Sequence, residues 1–364
     1  LMAAGEADAG KEPEWNYTTG DLVRSVAISA DGEYIAAGSL DEKVYLFDKD
    51  SSTPLWNYTT GGVTSVAISA DGEYIAAGSN NWKVYLFDRD SSTPLWSYET
   101  GSGVYSVAIS ANGEYIVAGS GDRDVYLFDK DSNTPLWNYT TGNDVYSVAI
   151  SADGKYIAAG SSNDKVYLFD KDSSTPLWSY ETGSGVYSVA ISADGEYIAA
   201  GYYDNKVYLF HKDSSTPLWN YTTGNPVNSV ATSPDGEYIV AGASDSKVYL
   251  FDKDSSTPLW NYTFNENSGD GAYSVAISAD GEYITAGTGG WVNEVYLFHR
   301  DSSTPLWSYT ASHDVISVAI SADGKYIAAA GKYYNWDGHT GKVYLFDKDS
   351  STGGSPVATI DSIT

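Results

Sequence analysis

Residues 104–143 read VYSVAISANGEYIVAGSGDRDVYLFDKDSNTPLWNYTTGN, and the rest of the chain repeats them with small edits. The segment SVAIS begins at Ser25, Ser65, Ser106, Ser147, Ser188, Ser274 and Ser317, and SVATS at Ser229, so there are eight copies 40 to 45 residues apart. A period of that length marks one supersecondary unit that cannot bury its own faces and must stack on its neighbours.

Within a unit, short runs of β-branched and aromatic residues are punctuated by Asp-Gly and Asp-Ser-Ser clusters, which reads as four strands. We letter them a to d from the inside of the repeat array outward. Strand a is VYSVAIS, and the SADGEY stretch after it holds an Asp-Gly hairpin turn, where Gly accepts a positive φ. Strand b is EYIVAGS, strand c is VYLFD after a variable loop, and PLWNYT is strand d after the DKDSNTP turn. Four strands per unit and eight units predict an all-β fold, an eight-bladed β-propeller of four-stranded antiparallel blades. The strands read as apolar on both faces, as blades covered on either side require. Trp56 and its repeats are expected to fill the wide space between the outer parts of the blades, and strand a is rich in Ala and Ser because the blades converge there.

The pattern SxDGxYxAxGSxDxKVYLFD resembles the WD-repeat and the related quinoprotein-type and surface-layer propeller repeats of archaeal, methanogen-type cell-surface proteins, with Phe-Asp where the WD-repeat has Trp-Asp. The Gly-His dipeptide of the WD-repeat is missing between strands d and a. This resemblance spans roughly residues 15–350 and implies the fold, with little about activity.

Residues 1–14 are polar and rich in Ala and Gly, and read as a disordered lead-in with too few apolar residues for a signal-peptide core. Residues 15–19, WNYTT, are a strand d with no a, b or c before them, while the last unit has a, b and c at 315–347 and no PLWNYT after them. The N-terminal strand is therefore expected to complete the last blade and close the ring, giving one domain over 15–350. Residues 351–364 lose the Tyr and Trp rhythm; they read as a linker whose PVATIDSIT resembles the opening strand of a PKD-like module, or else as an alternative strand d for the last blade.

The formal net charge of −28 argues against nucleic acid and anionic lipid as partners, because both repel such a chain. Absence of Cys excludes disulfides and thiol chemistry. No stretch approaches the ~20 apolar residues of a spanning helix, so membrane insertion is not expected. Asn16, Asn57, Asn138, Asn220 and Asn261 each open an Asn-Tyr-Thr sequon on an outer strand, which favours an extracellular or cell-surface location. Elsewhere Ser97, Ser179 and Ser308 hold the same position, as an ordinary polar residue on an exposed edge also would.

Candidate chemistry is thin. His211 and His299 stand where other repeats carry the Asp of VYLFD, a position read as turn capping, and with His313 and His339 they form no triad or metal spacing. The DKDSS turns lack the central Gly and distal Glu of a calcium loop, and their Asp and Ser are expected to bond their own backbone. No catalytic residue, metal or cofactor is expected. A non-catalytic cell-surface module binding a protein or glycan leads, ahead of an intracellular WD-repeat-like scaffold and a propeller lyase or hydrolase; oligomeric state is left open.

Variation among the repeats points to where a ligand sits. The a–b and c–d turns hardly change and strand alternation puts both on one side of the ring. The b–c loops change in every unit, and they carry Trp82, Arg123, Tyr202, Tyr203, Trp291, Tyr333, Tyr334 and Trp336. The d–a connections, including the insertion FNENSGDG, share their side. The residue before each SVAIS also varies and is expected at the channel mouth: Arg24, Tyr105, Tyr146, Tyr187 and Tyr273 among them. Drift in loops favours small polar residues; exposed aromatics beside Asp and Asn make apolar platforms with polar rims. This face is the expected binding surface, with the longest loop, 331–342, as one wall.

Overall fold

A computed structural model describes residues 11–264, 271–290, 292–335 and 338–350, and the side chains of all of these except 333–335 and 338. They form eight four-stranded antiparallel sheets in a closed ring, and no helix occurs among them. Blade 1 is typical: strand a is Val23–Ile28, b Tyr34–Ser39, c Lys43–Asp48 and d Trp56–Thr59. In blade 8 the order is Trp15–Thr19, Gly338–Asp347, Tyr326–Asn335, Asp314–Ile320, with Trp15 opposite Leu345 and Thr19 opposite Gly341. The N-terminal strand thus closes the ring. Residues 11–14, expected within the lead-in, already pack here: the Glu14 amide donates to Leu345 O at 2.8 Å, and the Lys11 ammonium donates to the carbonyls of Asp347 and Ser350.

Burial follows strand position. Strands b and c are buried on both faces, as expected, but strand d alternates, with Trp56 and Tyr58 half-buried and Asn57 and Thr59 exposed. The outermost strand packs its Trp56 and Tyr58 face on the next blade and turns its Asn57 and Thr59 face to water. Each core lies between blades: Ala36, Val44 and Leu46 of blade 1 pack on Val63, Val66, Ile75, Phe87 and Tyr85 of blade 2. A fully buried Phe in such a seam stabilises by about 1.5–3 kcal/mol. Trp56 lies on Phe87 of the next blade with ring centroids 5.4 Å apart and donates its indole N–H to Arg89 O at 2.6 Å.

The repeated residues are fastenings between blades. The Ser25 hydroxyl accepts from the Val66 amide of the next blade at 3.1 Å, and the same bond recurs around the whole ring, ending with Ser317 and Val26. The first Ser of SVAIS is therefore an inter-blade acceptor. At the a–b turn end, Ala30 N donates to Ala70 O, Ala70 N to Ala111 O, and so on around the channel except at Pro234, which has no N–H to give. The turn Gly of each blade receives the strand-b Tyr of the blade before it; a Cβ on Gly72 would lie 2.7 Å from Tyr34 Cδ2, and Gly72 has φ 71°. Arg89 lies over the same Tyr34 ring at 4.7 Å, a cation–π contact across the seam. The turn side is invariant because it is the ring's own hardware.

Candidate functional site

On the opposite side the geometry begins with a β-bulge. In blades 1 to 6 the pairing of strands a and b slips between the first and third residue of strand a, as between Val104 and Ser106, leaving Tyr105 out of the ladder. Blades 7 and 8 slip at Tyr273 and Ile316 in the same way. A bulge re-aims one side chain. Here it turns the residue before each SVAIS toward the channel mouth.

At that mouth, three adjacent blades build an arc of tyrosines. Tyr105 contacts Tyr146 at 5.6 Å between centroids, Tyr146 contacts Tyr187 at 5.7 Å, and Tyr187 contacts Tyr203 of the same blade's b–c loop at 5.7 Å. Tyr203 is 59% exposed, Tyr187 42% and Tyr105 39%, far more than core tyrosines such as Tyr45. None of the four hydroxyls has a hydrogen-bond partner among the described residues. Partial burial and then the Asp144 carboxylate beside it hold the Tyr105 hydroxyl above its ordinary pKa, so it remains a neutral donor. Asp144 makes no ion pair among the described residues.

Polar residues complete the mouth. Arg24, exposed, lines a cavity of about 310 Å³ with Leu40, Thr64, Asn80 and Tyr105. The Thr64 hydroxyl bridges to Val104 O of the next blade, and Asn228 Nδ2 bridges to Ala272 O at 3.0 Å, so these two mouth residues stitch seams. Neither role was legible in the sequence, because each depends on a carbonyl some 40 residues on. The other end of the channel is a cavity of about 340 Å³ lined by Ile28, Ile68, Ile109 and their repeats, with Thr232 and Pro234 of blade 6 in place of Ile and Ala.

Trp82 stands 50% exposed in the b–c loop of blade 2 at φ 69°. The left-handed conformation costs a non-Gly residue about 1–2 kcal/mol, and five other blades fill this position with Glu42, Arg123, Asp164, Asn205 and Ser246. Arg123 is exposed in the same left-handed position of blade 3.

Tyr202 is a correction. Expected in the exposed loop, it is fully buried at the end of strand b, where other blades have Ser39 or Ser79, and its ring lies 4.8 Å from Tyr208. Strand alternation sends Tyr202 inward and Tyr203 outward. Its hydroxyl and Asp204 Oδ1 have no hydrogen-bond partner among the described residues, and burial holds the Asp204 carboxyl above the usual carboxylate range. Blades 1 and 3 instead pair Tyr45 with Asp41 and Tyr126 with Asp122 at 2.7 Å. Tyr273 is also set apart from the arc: Asn228 of blade 6 intervenes in ring order, and Lys332 lies over its ring at 5.5 Å. Tyr333 and Tyr334 lie not in a loop but on an extension of blade 8, whose strands b and c each run ten residues and pair Tyr334 with His339. At ~3.3 Å per residue this hairpin rises about 13 Å above the six-residue strands b and c of blades 1 to 6. Trp291 and Trp336 lie outside the described residues.

The sequon residues Asn16, Asn57, Asn138, Asn220 and Asn261 are all exposed on strand d. Asn138 also donates to Asp124 at 2.7 Å. The His at 211 and 299 act as turn caps, their Nδ1 atoms accepting from the amides of Asp213 and Asp301 at 3.4 and 3.3 Å, as Asp48 does for Asp50 at 2.8 Å. Among the described residues no group of three or more His, Asp and Glu is placed to hold a metal.

The WD domain, G-beta repeat family matches residues 13–48 and 52–88. No curated protein matches the chain. A crystal structure of the computationally designed Ika8 protein superposes with TM-score 0.76 over 94% of this chain and 100% of that one, at 14% identity, a likeness of fold alone. The PQQ-like repeat family described as outer membrane protein assembly factor BamB matches residues 84–233 and 121–352. The second of those matches alone takes in more than half of the 364 residues, and the protein belongs to that family of β-propellers.

Proposed function

We propose that the protein is a non-catalytic binding module that holds a partner protein on the face made by its b–c loops, d–a connections and channel mouth. The tyrosine arc carries this reading. Tyr105, Tyr146, Tyr187 and Tyr203 pack on one another across the seams of three blades, leave Tyr105, Tyr187 and Tyr203 exposed, and keep four hydroxyls with no partner among the described residues. Trp82, held exposed at an unfavourable φ, supports the same face. Aromatic residues are the enriched anchors of protein interfaces. The family's description as an assembly factor and the WD-repeat match favour a protein ligand over a glycan.

Peptide and oligosaccharide arrays probed with the protein supply a ligand for the test. The double variant Trp82→Asn/Tyr187→Ala is expected to bind it at least tenfold more weakly with Tm unchanged or raised, because Asn tolerates the left-handed backbone and relieves about 1 kcal/mol. Lys130→Ala/Lys171→Ala, on the turn side, is expected to bind normally. Loss of binding in the lysine variant alone would place the site on the wrong face.

We place the module outside the cell. Five sequons on exposed outer strands support this, each with its Asn turned to solvent. Mass spectrometry of protein from its source cell is expected to find hexose-bearing peptides containing Asn57; unmodified Asn at all five positions would remove this support.

A further inference from the structure

We propose that the tyrosine arc takes a proline-rich segment of the partner in polyproline II conformation, with a Lys or Arg of that segment beside Asp144. This rests on the reading of the loop face as the binding face and names what that face recognises. The strip from Tyr105 to Tyr203 is at most about 17 Å long, which a polyproline II helix spans in five or six residues at 3.1 Å each.

The rings themselves select this ligand. Successive planes are inclined by 58°, 28° and 77° at centroid separations of 5.6–5.7 Å, so the arc is a ridged strip of rings in contact instead of one flat platform. Pyrrolidine rings pack against aromatic-lined surfaces of this kind. A polyproline II backbone makes no internal hydrogen bonds and presents its carbonyls outward, and the four hydroxyls that have no partner among the described residues are donors for such carbonyls. A pyranose needs a flat, open ring face, and mutual packing leaves these rings few. Charge agrees: the strip is neutral, the unpaired Asp144 carboxylate lies at the Tyr105 end, and the chain carries a formal −28. A segment with a cation at one end is complementary, and an acidic one is repelled.

The probes are decaproline, decaproline with two N-terminal arginines, and chitohexaose, each titrated into the full chain and followed by tyrosine chemical shifts or calorimetry. Both peptides are expected to bind saturably, the arginine-bearing one several-fold more tightly. Tyr146→Ala and Tyr187→Ala are each expected to weaken both peptides at least tenfold. Asp144→Asn is expected to abolish only the advantage of the arginines, and Lys130→Ala on the opposite side to change nothing. Absence of saturable peptide binding, or equal binding by the tyrosine variants, overturns the proposal; so does chitohexaose binding that these variants lose. If the peptides fail while the array ligand is still lost with Tyr187→Ala, only the polyproline assignment falls and the loop face stands.

Discussion

Deleting residues 1–20 is expected to open the ring and lower Tm by more than about 10 °C, whereas trimming residues 351–364 hardly moves it. The deleted strand is the outer edge of blade 8 and also part of the seam with blade 1. Trp15 lies 5.2 Å from Phe47 and donates to Lys49 O at 2.7 Å, and Tyr17 lies 5.5 Å from Tyr45 and 5.3 Å from Phe47. Loss of a single packed aromatic costs about 3–5 kcal/mol, and each kcal/mol moves Tm by about 2–4 °C in a domain of 150–250 residues. The deletion also bares the edge of Gly338–Asp347, an open template for another chain. Differential scanning calorimetry of the two truncations, with light scattering for association, decides it: a larger fall on trimming the C-terminus refutes the closure by Trp15–Thr19.

The second large effect is expected at the seam between blades 6 and 7, which should be the first to open. Three differences from the other seams coincide there. The belt of amide-to-carbonyl bonds around the channel passes from Ala193 N to Pro234 O and resumes at Ala279 N, because Pro234 has no N–H to give Ala279 O. Ala272 stands where strand a of other blades opens with a buried Val such as Val63 or Val104. A Cβ on Gly281 would meet Tyr238 at 3.2 Å, against 2.3–2.7 Å at the equivalent glycines, so the turn is less closely seated. At the mouth end Asn228 still ties the blades, so the seam should open from the turn side.

In native-state hydrogen exchange, peptides covering 271–282 are expected to exchange fastest among the eight strand-a peptides. Pro234→Ala/Ala272→Val should bring them level and add about 2 kcal/mol. The restored bond contributes about 1 kcal/mol and two buried methyl groups about 1.5, while loss of Pro stiffness in the unfolded chain returns about 0.5. Uniform protection across the eight blades, or no change in the variant, would sink the idea.

Blade number, strand order and ring closure were legible in the residues alone, because a repeated unit encodes its contacts once and copies them. The orphan strand at Trp15 and the missing one after Asp347 could pair only with each other. The invariance of the turns was legible too, but its cause was not. That Ser25 accepts from Val66, and that Gly72 makes room for Tyr34, are contacts between blades, visible only when the next blade is in place.

The candidate site divides in the same way. Variation marked the face and named Tyr105, Tyr146, Tyr187 and Tyr203, since exposed aromatics in otherwise copied loops stand out. Their union into one arc came from the ring, which sets positions 41 residues apart side by side through a bulge in each strand a. Adjacent Tyr202 and Tyr203 looked alike in sequence, yet one is buried and one exposed. Composition cannot separate them, because the choice depends on where strand b ends, and in this blade its last residue is Tyr202. A residue's own chemistry decides whether it can bury or bind; which of the two it does is decided by the neighbour that the tertiary fold brings against it.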